Sequence, residues 1–257
     1  MAEFAEWDGV FLDHVAVVIG AGGGIGGSIA SLFARSGALV IAGDQDGDGL
    51  ARLEREISSD GRECAVRPVS VDSQASVDRF AAWVGRTYGR ADHLVNAAGV
   101  TARGPSQLFS RADWERILTI NLTGTFLMCR ALAAIMMGDR ESTIVNVASE
   151  LALSAEPAKA AYVASKAGVI GLTRVLGLEW AGSGIRVNAV APGATRTPMI
   201  AHIENDPATR DAYLSRVPTH RFAEPSEIAD GIAFLSSRLS RHMVGQVLVI
   251  DGGYTIG

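Results

Sequence analysis

Short aliphatic runs alternate along this chain with longer amphipathic stretches. Residues 15–19 (VAVVI) form a continuous apolar run of strand length, and a cluster of glycines follows. Residues 28–37 then read as a helix closing on Gly37, 38–43 as a strand, 49–61 as a helix ending at Gly61, and 63–71 as a third strand. The alternation continues with a helix over 77–89, a strand over 93–99, one long helix over 111–138 and a strand over 142–149. A helix over 160–182, a strand over 185–193, a helix over 224–237 and a strand over 246–253 complete it. Apolar runs that need cover on both faces, each followed by a helix, predict a parallel sheet with helices on both sides. The predicted fold is α/β: a Rossmann-type, doubly wound, seven-stranded parallel sheet in a single domain spanning 1–257.

Two breaks in the pattern add detail. Pro68 falls inside the third strand, and proline cannot donate to a ladder, so that strand belongs at a sheet edge. This agrees with the strand order 3-2-1-4-5-6, in which the third strand is outermost. The least regular segment, about 195–220, contains Pro198, Pro207 and Pro218 and follows a strand. A long irregular stretch of this kind in a compact domain reads as a substrate loop or lid.

Composition narrows the class. A net charge of -5 lacks the broad positive field that nucleic-acid binders use. No run of about 18 apolar residues suggests a membrane span. The acidic N-terminus lacks the basic and apolar regions of a signal peptide. Cys64 and Cys129 lie in unrelated segments and form no disulfide framework, which suits a reducing compartment. The five histidines are scattered, without zinc-site spacing, so no metal is expected. The expectation is a soluble, cytoplasmic protein with neither nucleic-acid nor membrane partners.

Candidate chemistry begins at the glycine cluster. The first strand ends at Ile19, so the turn must start at Gly20, and the register Gly20-x-x-x-Gly24-Ile25-Gly26 fits best. Gly20 would make the tight turn, Gly24 would let the backbone approach a pyrophosphate, and Gly26 would allow close helix–strand packing. The helix that follows would aim its N–H groups at the phosphates. Asp44 ends the second strand eighteen residues past Gly26, where a carboxylate can accept from an adenosine ribose. Asp48 reads as the cap of the next helix. Methyltransferases share much of this arrangement, so the fold alone leaves the chemistry open.

Tyr162 and Lys166 stand four apart in a helical stretch and share a face. A tyrosine hydroxyl ordinarily titrates near 10, and an adjacent ammonium, together with the positive ring of an oxidised nicotinamide cofactor, would favour the phenolate and lower that value. Small residues surround the pair, and Ser149 ends a strand at the carboxyl edge, where ligands of such folds bind.

With these residues together, the chain resembles the short-chain dehydrogenase/reductase family from His14 to Gly253. The resemblance rests on the glycine loop, Asp44, Asp72, Asn96-Ala97-Ala98-Gly99, Asn121, Ser149, Tyr162, Lys166, Asn188, Pro192-Gly193, Thr197 and Asp251-Gly252-Gly253. Ile19 and Ala97 depart from the family's usual threonine and asparagine. The resemblance implies an NAD-dependent oxidoreductase that moves hydride between NAD(H) and a secondary alcohol or ketone. Ser149, Tyr162, Lys166 and Asn121 would be catalytic: Tyr162 exchanges the hydroxyl proton and Ser149 holds the substrate oxygen. Lys166 would bond the ribose and lower the pKa of Tyr162, while Asn121 places a relay water. Gly20, Gly24, Ile25, Gly26, Asp44, Asp72, Asn96, Ala98, Gly99, Tyr162, Lys166, Pro192, Gly193, Thr195 and Thr197 would hold NAD. Ser149, Leu151, Tyr162 and Met199 would face the substrate, with Glu150 the acid of the pocket lining. A homotetramer is also implied. A 3-oxoacyl thioester reductase, weakened by Asp44 because such reductases usually prefer NADP, and a non-catalytic NAD-binding protein remain the alternatives.

Overall fold

The central apolar runs become strands whose side chains are buried on both faces, while the two edge strands are only partly covered. The computed structural model describes residues 7–138 and 140–257. The strands are β1 (Val15–Ile19), β2 (Leu39–Asp44), β3 (Cys64–Pro68), β4 (His93–Asn96), β5 (Ser142–Val147), β6 (Ile185–Pro192) and β7 (Val247–Ile250). All pair in parallel, in the order β3-β2-β1-β4-β5-β6-β7. The strand carrying Pro68 is at the edge, as its missing N–H requires.

The strand period sorts the core into two layers. Ala16, Val18, Val40, Ala42, Val95 and Val145 pack beneath α1 (Gly24–Arg35), α2 (Gly47–Ser59) and α9 (Pro225–Ser236). Val17, Ile19, Ile41, Leu94 and Ile144 pack beneath α3 (Gln74–Tyr88), α5 (Gly124–Met136) and α6 (Ala160–Trp180).

Three expectations need correction. The long helix over 111–138 is interrupted: α4 (Arg111–Leu118) and α5 are joined by one π-helical turn, Thr119–Thr123, around the buried Asn121. By length and composition alone the stretch Arg111–Met136 could cross a membrane, but half of its most apolar window is buried within the protein. The segment 195–220 is not irregular. It contains a 3₁₀ turn (Pro198–Ile200), α7 (Ala201–Glu204) and α8 (Pro207–Leu214), with Pro198 and Pro207 placed in first turns, where a missing N–H costs nothing. Finally, Asp46 rather than Asp48 caps α2, accepting from Gly49 N at 3.0 Å, because the helix starts two residues earlier than the pattern suggested.

Candidate active site

A cleft of about 700 Å³ opens along the carboxyl edge of the sheet, as expected for a switch point between β1 and β4. At one end lies the glycine loop. Gly20 is left-handed at φ 85°, and a Cβ on Gly26 would stand 2.0 Å from the Gly20 carbonyl oxygen, so only glycine permits this contact. The N-terminus of α1 has neither a capping side chain nor an acid in its first turn. An uncapped helix start lined by Gly22, Gly23 and Gly24 is a ready anion cradle, which fits a pyrophosphate.

Asp44 lies beside this cradle. Its carboxylate accepts from Gly22 N and from Asp46 N, both at 2.9 Å, which pins it at the cleft wall with lone pairs to spare. Asp72, Ala98, Gly99 and Ile25 line the same wall, and Asp72 accepts from the Ser70 hydroxyl. Arg52 also reaches the cleft, where it pairs with Asp46 at 3.9 Å.

At the other end the reactive side chains converge. Ser149 ends the β5 segment and starts a 3₁₀ turn, its hydroxyl accepting from Leu151 N at 3.2 Å. The same side chain bonds the Tyr162 side chain. Thus Ser149 both caps and touches the tyrosine. Lys166 is one helical turn from Tyr162; its ammonium lies 5.9 Å from the Tyr162 ring centre and donates to Val147 O at 2.7 Å. One bond uses one of three donors, so two N–H groups remain unspent. Burial pulls this ammonium down to about 8. In the protein alone the Tyr162 hydroxyl moves upward. Burial pushes it above its ordinary value, the Ser149 bond opposes this, and the Glu150 carboxyl adds to it. Desolvation is the largest of these influences.

Asn121 is fully buried and its side chain is committed. It accepts from Val100 N at 2.8 Å and donates to Val100 O at 2.9 Å and to Ser165 Oγ at 3.0 Å. A Cβ on Gly99 would lie 3.4 Å from both Asn121 Oδ1 and Lys166 Nζ, so the asparagine pins the strand-end loop against the lysine. Pro192, Gly193, Thr195, Thr197, Leu151 and Met199 all line the cleft. Thr195 is buried and donates to Gly193 O at 2.9 Å.

Three residues of the expected set do not line the cleft: the buried Asn121 sits behind it, and two more point elsewhere. Asn96 turns into the core, donating to Asn146 Oδ1 at 2.9 Å and Cys129 Sγ at 3.3 Å. Asn188 joins β6 to the segment before β7, donating to Met243 O and accepting from Gln246 N.

Glu150, expected as the acid of the lining, is there, and Tyr213 and Lys159 join it. Glu150 is only 3% exposed; its Oε1 accepts from the Tyr213 hydroxyl at 2.8 Å, its Oε2 has no partner, and burial pushes the carboxyl up to about 8. Tyr213 in turn accepts from Ala194 N at 3.0 Å, which ties α8 to the cleft wall. Lys159, three residues before Tyr162, also faces the cleft. Its position one turn upstream on the same helix face was the available signal.

The sequence matches the family described as enoyl-(acyl carrier protein) reductase over residues 20–255. It is 42% identical to a D-threitol dehydrogenase of Mycolicibacterium smegmatis, covering 94% of this chain and 93% of that one. It is 39% identical to a 3-oxoacyl-(acyl-carrier-protein) reductase of Thermotoga maritima, covering 94% and 98%. Among solved structures, a gluconate 5-dehydrogenase from Burkholderia cenocepacia, in complex with NADP and tartrate, superposes with a TM-score of 0.93 at 31% identity, over 98% of this chain and 99% of that one.

Proposed function

The chain belongs to the short-chain dehydrogenase/reductase family, and from that premise we propose that it moves hydride between NAD(H) and a secondary alcohol or ketone, with Tyr162 handling the proton. The observation that carries this reading is the convergence of Ser149, Tyr162 and Lys166 at one end of a cleft whose other end is a glycine-lined helix start. When bound, the nicotinamide accepts or returns the hydride. In oxidation, Ser149 orients the substrate hydroxyl and the Tyr162 oxygen takes its proton; in reduction, Tyr162 gives it back. The two spare donors of Lys166 suit ribose hydroxyls, and an ammonium beside a phenol favours the phenolate, against the burial that raises Tyr162. Asn121 keeps the loop at Val100 in place behind this lysine, where a water can link Lys166 to solvent.

Asp44 supports NAD over NADP. A carboxylate there can accept from a ribose hydroxyl but repels a 2′-phosphate, and Arg52, the cation in reach, is engaged by Asp46. Cytoplasmic residence is part of the same reading and is supported by two free thiols. So is a homotetramer: Val175 and Leu178 stand exposed at 50% and 83% on one face of α6, a surface that a second copy would cover. Light scattering should give about four times the chain mass, and a monomer would overturn that part. The decisive experiment follows NADH formation over a panel of secondary alcohols. Tyr162→Phe should lower kcat by at least roughly 10²-fold with unfolding unchanged. Wild-type activity in that variant would remove Tyr162 from the chemistry.

A further inference from the structure

The substrate end of the cleft holds a cation that the hydride-transfer reading does not use. Lys159 lines the cleft and is only 8% exposed, with its ammonium 5.7 Å from the centre of the Tyr162 ring. Among the described residues, the Thr101 hydroxyl at 3.2 Å is its hydrogen-bond partner, and it forms no ion pair. Of the nearby acids, Glu156 favours the Lys159 charge from beyond ion-pair distance, while burial disfavours it. Glu156 is paired with Arg103 at 2.7 Å, and Glu150 receives the Tyr213 hydroxyl while burial keeps its carboxyl mostly neutral below about 8.

Position makes the charge more conspicuous. Lys159 is the N-cap of α6, which has no capping side chain and no acid in its first turn. A cation at a helix N-terminus opposes the helix dipole, so two positive features reinforce each other beside the reacting tyrosine. Ala158, just before it, is held in the left-handed region at φ 65°, with its carbonyl accepting from Gly104 N at 3.0 Å. The backbone thus accepts strain to present a buried, unpaired ammonium to the cleft. Such a group is costly unless something negative completes it.

We propose that Lys159 anchors a carboxylate of the substrate, and that the substrate is therefore a hydroxycarboxylate whose alcohol carbon sits at Tyr162. Only the location of the alcohol rests on the reading above; the anion site stands on Lys159 itself. The test is calorimetric titration of the NAD-saturated protein with tartrate and with threitol, which share a four-carbon skeleton and differ in charge. Saturating NAD occupies the other anion cradle, at α1. Tartrate should bind at least ~10-fold more tightly than threitol, a difference of about 1.4 kcal/mol. Lys159→Met should bring that ratio below about threefold, whereas Lys159→Arg should retain most of it. Tartrate binding no tighter than threitol in the wild type, no binding of either, or a ratio unmoved by Lys159→Met would each overturn the proposal. If alcohols produced no NADH while tartrate binding still depended on Lys159, the redox reading would fall and the anion site would stand.

Discussion

Buried titratable groups gather at both edges of this sheet, and the two gatherings differ in how completely they are satisfied. At the amino edge, Asp92 accepts from Val15 N at 2.7 Å and pairs with Arg90 at 3.0 Å. His93 uses both ring nitrogens, one toward His14 at 2.8 Å and one toward Thr143 at 2.7 Å, and stacks on Phe33. The linear sequence gave no sign that these two histidines meet. At the carboxyl edge, Lys166 has two donors to spare, Glu150 has an unpartnered oxygen, and both face the cleft. Burial shifts pKa values at both edges, pulling His93 down to about 3 and Lys166 to about 8. A shifted pKa therefore does not identify a site on its own. Unspent hydrogen-bonding capacity facing a cavity does so better.

The two edges should differ most at Lys166. Lys166→Met should lose roughly 10²-fold in kcat/KM, since it removes both a ribose donor and the charge beside Tyr162. The same change should raise the unfolding midpoint at pH 7, because it deletes a buried charge held by a single bond. The sign follows from linkage. With its folded value near 8 and its unfolded value at 10.5, Lys166 binds fewer protons folded, so wild-type stability should rise with pH across that window and the variant should lack the rise. A variant that was both inactive and less stable would contradict the distinction between the edges.

Asp44 gives the next effect. Two unit charges about 5 Å apart at an effective dielectric of about 20 repel by roughly 3 kcal/mol, a preference on the order of 10²-fold for NAD. The ratio of kcat/KM with NAD to that with NADP should be of that size and should collapse in Asp44→Ala. A wild-type ratio near one would mean that Arg52 leaves Asp46 for the phosphate.

The smallest change is expected at the amino edge. His93→Gln should cost about 1–3 kcal/mol of stability by unmaking buried bonds while leaving kcat unaltered. Since folded His93 stays neutral down to about 3 while the unfolded group protonates near 6.5, wild-type stability should fall as pH drops through that interval, and the variant should lose that part of the slope. Denaturant titrations at several pH values would measure it. A fall in kcat would connect this edge to the site after all.

Much of this molecule was legible from the chain itself, for local reasons. Strand and helix periods are short-range, so the order of elements, the edge position of the Pro68 strand and the core layers follow from neighbours a few residues apart. The glycine loop was legible because Gly20 must be left-handed and Gly26 must approach the Gly20 carbonyl, demands that no other residue meets. Ser149, Tyr162 and Lys166 were found because the tyrosine and lysine share one helix face and the serine ends a strand at the ligand edge.

Only the tertiary structure decided where partners come from elsewhere in the chain. Asn121 binds the Val100 backbone twenty-one residues away, Asn96 finds Asn146 across β4 and β5, and Glu150 meets Tyr213 from sixty-three residues away. Lys159 became notable once Glu156 was seen to be engaged by Arg103, fifty-three residues upstream. The direction of the Tyr162 shift depended on the same kind of sum. Desolvation adds up over every atom packed around a group, whatever its place in the chain, and a spacing of four residues reports only one of those neighbours.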